Sequence, residues 1–322
     1  MAVTKIDNVV NKNKSSEFFT FMGVPYCKDV KSVNADVVVM GVPCATPYLH
    51  DPAYGKANLA GPTAIRRATT KWVNAHDRID WDVDSSVFSG HLDRIADIGD
   101  LDVHLDTAPA NRELIRRTTE TIVERGAVPV VLGGEDSIPI PVVQGLEALG
   151  DVTILQLDGH IDWKDDVHGE RWGLSSGMRR ASELPFVKNI IQVGIRGPSS
   201  AGPQEIADAK AWGVRFFTGE DIFDNGIDPV IQSIPEGSNV HINFDLDSLD
   251  PSIMPAVWVP TPGGMLYWHV SKIIRAVSRR AKIASFAMVE YVEERDSNGI
   301  AARHAARLAA TAIGEVVRNR GK

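Results

Sequence analysis

Short runs rich in valine and isoleucine recur along the chain, with helical patterns between them. The runs lack strict alternation of apolar and polar residues, as expected of parallel strands that are buried on both faces. We therefore predict strands at residues 35–42, 127–132, 152–158, 189–193, 214–217, 240–245 and 283–289.

Between these runs, apolar residues recur at helical spacing and predict helices at residues 111–125, 141–149, 269–281 and 299–317. In the last helix, alanines at helical spacing indicate core packing rather than a binding stripe. Long loops are expected directly after predicted strands, at residues 43–61, 162–179 and 250–264.

The alternation of strands and helices predicts an α/β fold, with a mostly parallel sheet and helices on both of its faces. No internal repeat, low-complexity tract or linker divides the chain, so we expect one domain over residues 1–322. In open sheets of this kind, ligands collect at the carboxyl ends of the strands, where the long loops are expected.

Composition narrows the class of protein. The 43% hydrophobic and 24% charged content is that of a globular protein with a sizeable core, and the net charge of −8 argues against a nucleic-acid partner. The only cysteines, Cys27 and Cys44, are too few for a disulfide framework. Residues 1–14 lack a continuous apolar run, and no stretch approaches the roughly 20 apolar residues that cross a bilayer, so we expect a cytoplasmic protein without a membrane partner.

Acidic residues follow several of the predicted strands. Asp158, His160 and Asp162 place three potential metal ligands at alternate positions, and Asp245 and Asp247 follow another strand. Acids in a loop are ordinarily just solvated, but carboxylates that are buried together need cations or protons. A site with two bridged metals can turn water into a nucleophile at neutral pH. The pattern therefore predicts a metal site at this edge of the sheet.

The segments GGEDS (133–137), DGHID (158–162) and 243–251 resemble three signatures of the ureohydrolases, the arginase and agmatinase family. In that family the signatures usually read GGDHS, DAHxD and SFDxDxxDP, and the agmatinase-like branch is the nearer one. The resemblance implies a three-layer α/β/α fold, a homo-oligomer (a trimer or hexamer), and two divalent metal ions, Mn²⁺ first and Ni²⁺ as the alternative. It also implies hydrolysis of a guanidinium group to urea and an amine through a metal-bound hydroxide.

The resemblance also assigns roles to residues. One metal would be held by Asp136, Asp158, Asp162 and Asp245, and the other by Asp158, His160, Asp245 and Asp247. Glu290, which follows the strand predicted at 283–289, matches the acid that faces the guanidinium group and would both bind substrate and take part in catalysis.

Four features depart from the family pattern, and one of them is Tyr291-Val292-Glu293, which follows Glu290 in place of a proline-terminated turn. Asp136 stands where a histidine ligand is usual, so either that ligand is lost or aspartate replaces it in an oxygen-rich site that suits Mn²⁺. Leu174 stands where a proton-shuttling histidine is common; His168 in the same loop is either its catalytic replacement or an exposed loop residue. Trp258 lies in a segment that is normally built of small residues, and is either a wall of the substrate pocket or a packing residue.

The leading hypothesis is therefore a metal-dependent hydrolase of a small guanidino compound, with agmatine as the default substrate. A guanidino acid, guanidine or a biguanide are the alternatives. No basic residue in the signatures marks a subsite for a carboxylate, which favours substrates with uncharged or cationic tails. A competing hypothesis is a non-catalytic subunit of this fold that assembles with an active paralogue.

Overall fold

A computed structural model describes residues 19–48, 50–198 and 201–320. Residues 1–14, which the sequence predicts to lack a signal peptide, lie outside this part. The strands are β1 Val37–Val42, β2 Ile79–Asp80, β3 Ser85–Ser86, β4 Ile95–Asp100, β5 Val128–Gly133, β6 Val152–Leu157, β7 Val187–Ile195, β8 Arg215–Thr218, β9 Asn239–Asp245 and β10 Lys282–Val289.

Eight of these strands form one parallel sheet in the order β4-β1-β5-β10-β9-β6-β7-β8, and β2 and β3 form a separate antiparallel pair. The α-helices are α1 Pro52–Asn58, α2 Gly61–Ala68, α3 Ala108–Glu124, α4 Pro139–Gln144, α5 Gly177–Ser182, α6 Pro203–Trp212, α7 Gly219–Asn225, α8 Asp228–Ser233, α9 Tyr267–Arg280 and α10 Ile300–Asn319. Among the described residues, no helix has the length and apolar character needed to cross a membrane.

The sheet is covered on both faces, which confirms the predicted α/β architecture. Successive side chains of a strand point to opposite faces. In β1, Val37 and Val39 pack in the cluster that contains the apolar faces of α9 and α10, whereas Val38 and Met40 pack in the cluster that contains α3. The predicted core role of the alanines in α10 is also confirmed, because Ala305, for example, is fully buried.

All seven predicted strands are present, but the sequence did not predict β4. Five of its six residues are buried, yet Asp97 interrupts its apolar run. The Asp97 carboxylate is fully buried and pairs with Arg66 of α2, whose Nε lies 2.8 Å from Oδ2 and whose Nη2 lies 2.9 Å from Oδ1. In the sequence, Asp97 interrupts the apolar run that would predict a strand. In the fold, Arg66 is distant in the chain but pairs with Asp97, which makes the burial of this carboxylate tolerable.

The register of the central strands brings the acidic segments to one edge of the sheet. Val289 of β10 pairs with Asp245 of β9, and Leu157 of β6 pairs with Phe244 of β9. Asp158 and Glu290, each one residue beyond its strand, therefore emerge beside Asp245. The edge is the carboxyl end of the sheet, where ligands bind in open α/β folds.

Candidate metal centre

Two compact groups of potential metal ligands lie at this edge of the sheet. Among the described residues, Asp158, His160 and Asp247 form one group, and Asp136, Asp158 and Asp162 form the other. Within each group, one ligand atom per residue lies within 4.8 Å of the others. Asp158 belongs to both groups, which is the arrangement that a bridging ligand between two metals requires.

The backbone of the DGHID segment turns after β6, and its own hydrogen bonds hold this turn. The Asp158 carboxylate accepts a hydrogen bond from the backbone N–H of His160 at 2.7 Å. Asp162 has a positive φ of 44°, and its carbonyl accepts from the backbone N–H groups of Met178 and Arg179. Asp158 thus belongs to both ligand groups, with His160 in one of them and Asp162 in the other.

Gln156 orients two of these carboxylates. Its side-chain amide donates to Asp158 Oδ2 at 2.6 Å and to Asp162 Oδ2 at 2.8 Å, and Gln192 donates in turn to its oxygen. Gln156 was not among the site residues predicted from the sequence. A signal was present, because a glutamine inside an apolar strand, two residues before Asp158, points to the same face as that aspartate.

The second acidic segment closes onto the first. Asp245 Oδ1 accepts from the backbone N–H of Asp247 at 2.7 Å, and Asp247 Oδ1 accepts from Gly159 N–H at 3.0 Å. His160 Nδ1 lies 3.0 Å from Asp247 Oδ2 and 3.4 Å from Asp158 Oδ1. Asp245 is buried beside these residues but belongs to neither compact group.

Asp136 lies in the second group and presents an unsatisfied oxygen. Its Oδ1 accepts from the Asn243 amide at 3.4 Å, whereas its Oδ2 is buried without a hydrogen-bond partner among the described residues. A buried, unpaired carboxylate oxygen is costly unless a proton or a cation satisfies it. The donor set around it is oxygen-rich and suits a hard divalent cation such as Mn²⁺. The residues at this position therefore fit a metal ion.

The carboxylates of the centre crowd one another. Burial, followed by the charges of neighbouring carboxylates, raises the pKa of Asp136, Asp158 and Asp245 well above the usual range of aspartate. Burial opposes the charging of His160, but its contacts with Asp158 and Asp247 outweigh that effect and raise its pKa to about 12. Without a metal the site must retain protons, and divalent cations would replace them.

Glu290 lies next to the centre in a constrained backbone conformation. Its φ is 72°, unusual for a residue with a side chain, and it is 2% exposed. Its Oε1 accepts from the backbone N–H of Asp136 at 2.9 Å. Burial, followed by the charge of Glu135, raises its pKa to about 8.

Two side chains of α1 hold the other oxygen of this carboxylate. The hydroxyl of Tyr54 donates to Glu290 Oε2 at 3.3 Å, and the amide of Asn58 donates to it at 3.4 Å. The sequence predicted a role for neither residue, because a loop was expected at residues 43–61. Their spacing of four puts them on one face of a helix, but that signal exists only once α1 is known.

The remaining predicted site residues, Trp258 and His168, belong to neither ligand group. Trp258 is half-buried between Tyr54 and Arg295. His168 is exposed, has a positive φ of 52°, and packs against His50 with ring centroids 4.3 Å apart. His168 belongs to neither ligand group, so its role in proton transfer stays a prediction.

A large cavity lies elsewhere in the molecule. It measures about 710 Å³ and is lined by residues at the amino ends of β5, β9 and β10 together with residues of α9 and α10. None of the potential metal ligands lines it. We place the chemistry at the carboxyl end, since the convergent carboxylates and the perturbed pKa values are there.

Comparisons with known proteins agree with this geometry. The Arginase family profile matches residues 35–314. An uncharacterised 32.2 kDa protein of Methanothermus fervidus is 30% identical over 84% of this chain and 90% of its own length. Agmatinase of Pyrococcus horikoshii is 29% identical over 84% of this chain and 88% of its own length.

The fold is shared with a solved structure. The proclavaminate amidino hydrolase from Streptomyces clavuligerus superimposes with a TM-score of 0.81 at 22% identity, covering 95% of this chain and 99% of that one. The family profile spans most of the chain, and the sequence motifs point to the same group. The chain therefore belongs to the arginase family and resembles its agmatinases.

Proposed function

We propose that this protein is a metal-dependent hydrolase of small guanidino compounds that releases urea and an amine. The observation that carries the proposal is the pair of ligand groups that share Asp158, with the buried carboxylate of Glu290 tied to Asp136 beside them. Agmatine is the reference substrate because of the agmatinase relative, and a guanidino acid, guanidine and a biguanide are the alternatives.

Six residues would hold two divalent ions, with Mn²⁺ favoured by the oxygen-rich donor set and Ni²⁺ as the alternative. We assign Asp136, Asp158, Asp162 and Asp245 to one ion and Asp158, His160, Asp245 and Asp247 to the other. When bound, such ions supply positive charge and lower the pKa of a coordinated water.

The residues of the chain bind and orient the substrate. Glu290 would pair with the planar guanidinium group through two parallel hydrogen bonds, which aligns the guanidinium carbon with the ligand groups. Because Glu290 is buried, this charge pair would be screened little by water. Gln156 keeps Asp158 and Asp162 in place through its amide, so that the ligands do not have to rearrange.

Urea release after metal loading tests the proposal. The chain is stripped with a chelator, loaded with Mn²⁺ or Ni²⁺, and assayed with agmatine, 4-guanidinobutyrate, guanidine and a biguanide. We expect about two bound ions per chain, the number of a two-metal site, and urea from at least one compound.

Glu290→Gln should retain the metal but lose at least about thirtyfold in kcat/KM, because it removes one partner of a buried charge pair.

Glu293→Gln is the matched control, since Glu293 is a more exposed glutamate that pairs with Arg67 at the surface. We expect it to behave as the unmodified protein does. A chain that binds no stoichiometric metal and releases no urea from any of the compounds would contradict the proposal. That result would favour a non-catalytic subunit of a complex with an active paralogue.

A further inference from the structure

A continuous line of side-chain contacts leads from the buried Glu290 to the protein surface. The hydroxyl of Tyr54 donates to Glu290 Oε2 at 3.3 Å. The ring of Tyr54 packs against Trp258 with centroids 4.7 Å apart, and the guanidinium of Arg295 lies 4.9 Å from the centroid of the Trp258 ring. An aromatic wall of Tyr54 and Trp258 therefore joins the acid of the site to a cation.

Arg295 is held in place on this wall. Its Nη1 donates to the backbone carbonyls of Val257 at 2.6 Å and of Trp258 at 2.7 Å. Its stacking on the indole ring is a favourable cation–π contact. The side chain is exposed, so its position is defined while its remaining N–H groups are open to a ligand.

The charge of Arg295 is not neutralised by its neighbours. Among the described residues, no carboxylate lies within ion-pair distance of it. Glu293 pairs with Arg67 at 2.8 Å, and Asp296 accepts from the hydroxyl of Tyr291 at 2.9 Å. Glu294 is exposed to solvent. The outer end of the aromatic wall is therefore positively charged.

This arrangement distinguishes between possible substrate tails. A guanidino compound bound at Glu290 would extend its aliphatic chain along Tyr54 and Trp258. A cationic tail, such as the ammonium group of agmatine, would then approach Arg295 and be repelled. The indole ring of Trp258 could otherwise bind a cation, but Arg295 already occupies its face. A carboxylate tail would instead form charge-assisted hydrogen bonds with the planar guanidinium.

We propose that Arg295 binds the carboxylate of the substrate, so that the substrates are short guanidino acids with the guanidino and carboxylate groups at opposite ends. The inference rests on the proposed function, because it places the guanidino group at Glu290. It reverses the preference for uncharged or cationic tails that the signatures suggested. Arg295 lies outside the signatures, and only the folded chain brings it to Trp258.

A comparison of two substrates tests this inference. The full chain, loaded with Mn²⁺, is assayed with 4-guanidinobutyrate and with agmatine, which share a guanidino group on a short alkyl chain but carry opposite charges at the other end. We expect the unmodified protein to prefer 4-guanidinobutyrate. Arg295→Gln should raise KM for this acid about ten- to hundredfold, the range for a lost hydrogen bond to a charged group, with kcat unchanged. The kcat/KM for agmatine should stay the same or rise.

Arg67→Gln is the matched control, because Arg67 is another exposed arginine nearby and pairs with Glu293 instead of an aromatic ring. It should leave the ratio of the two kcat/KM values unchanged. Arg295→Lys keeps the charge but not the planar fork, and should recover part of the activity on the acid.

The outcomes separate this inference from the proposed function. A preference of the unmodified protein for agmatine would overturn the role of Arg295 while upholding guanidino hydrolysis. An equal effect of Arg295→Gln on both substrates would also overturn it, since that is the result of a merely structural role. Absence of urea from every guanidino compound would overturn both.

Discussion

Asp136 stands at the position where the family signatures usually carry a histidine ligand, and the structure shows what the aspartate offers there. One oxygen accepts from Asn243, and the other is buried with no partner among the described residues. The backbone N–H of the same residue holds Glu290. Position 136 therefore links a proposed metal ligand to the acid that would face the guanidinium.

We predict that Asp136→Asn weakens the binding of one of two metal ions. The change preserves the shape of the side chain and the backbone bond to Glu290, but it removes a negative charge from the donor set and makes the metal ligand a neutral amide. Metal analysis after dialysis should show a fall from about two ions per chain to about one.

Asp136→His is the companion variant, because it restores the usual ligand of the family. We expect it to retain both ions. If Asp136→Asn keeps the full metal content, Asp136 is not a ligand, and the unpaired oxygen of Asp136 must be satisfied by a proton.

At the scale of the elements, the turn after β5 joins three strand ends. The backbone N–H of Gly134 donates to Val42 O of β1 at 2.8 Å, and its carbonyl accepts from Glu290 N–H, just beyond β10, at 2.7 Å. A Cβ atom at position 134 would lie 1.8 Å from the carbonyl oxygen of Pro43. Only glycine allows the chain segments to approach this closely.

Gly134→Ala should destabilise the protein by about 1–3 kcal/mol or more, the range for overpacking, because the clash is with backbone that cannot rotate away. Unfolding in urea, followed by circular dichroism, measures the free energy of unfolding. The variant should also lower activity, since Glu290 is tied to the displaced turn.

Gly177→Ala is a suitable control. Gly177 begins α5, and an added Cβ atom would lie 3.8 Å from its nearest neighbour, the carbonyl oxygen of Asp136, which is an ordinary contact. We expect little loss of stability from it. Equal stability of the two variants would contradict the close approach at Gly134.

Two of the elements that the sequence missed, β4 and α1, share a physical cause. The run of β4 is broken by Asp97, and α1 contains Gly55 behind an N-terminal proline, so neither matches a simple periodic pattern. Both elements are secured by partners far away in the chain. Arg66 pairs with Asp97, and Asn58 of α1 donates to the Tyr291 carbonyl at 3.3 Å.

At the scale of the whole molecule, we expect binding of the proposed metals to stabilise the folded state. The sheet gathers five buried aspartates whose charges repel one another without a cation. Ligands that bind only the folded state stabilise it, by about 2.7 kcal/mol at a concentration 100 times the dissociation constant. We therefore predict that Mn²⁺ raises the Tm of the metal-free protein by several degrees.

Differential scanning calorimetry of chelator-treated and Mn²⁺-loaded protein measures this shift. Asp158→Asn, which alters the residue common to both ligand groups, should lose most of it. A Tm that does not respond to Mn²⁺ in the unmodified protein would contradict a metal centre at this site. Assembly into a homo-oligomer and location in the cytoplasm stay predictions from the family resemblance and the composition.

The sequence alone determined the α/β fold and the acidic segments, because strand periodicity and closely spaced ligands are local properties of the chain. Asp158, His160 and Asp162 could be found together for this reason. Only the tertiary structure decided which distant groups meet. The contacts of Tyr54 with Glu290 and of Arg295 with Trp258 depend on the packing of α1 and of the segment after β10. Such long-range contacts leave no periodic trace in the sequence, although in our interpretation they select the substrate.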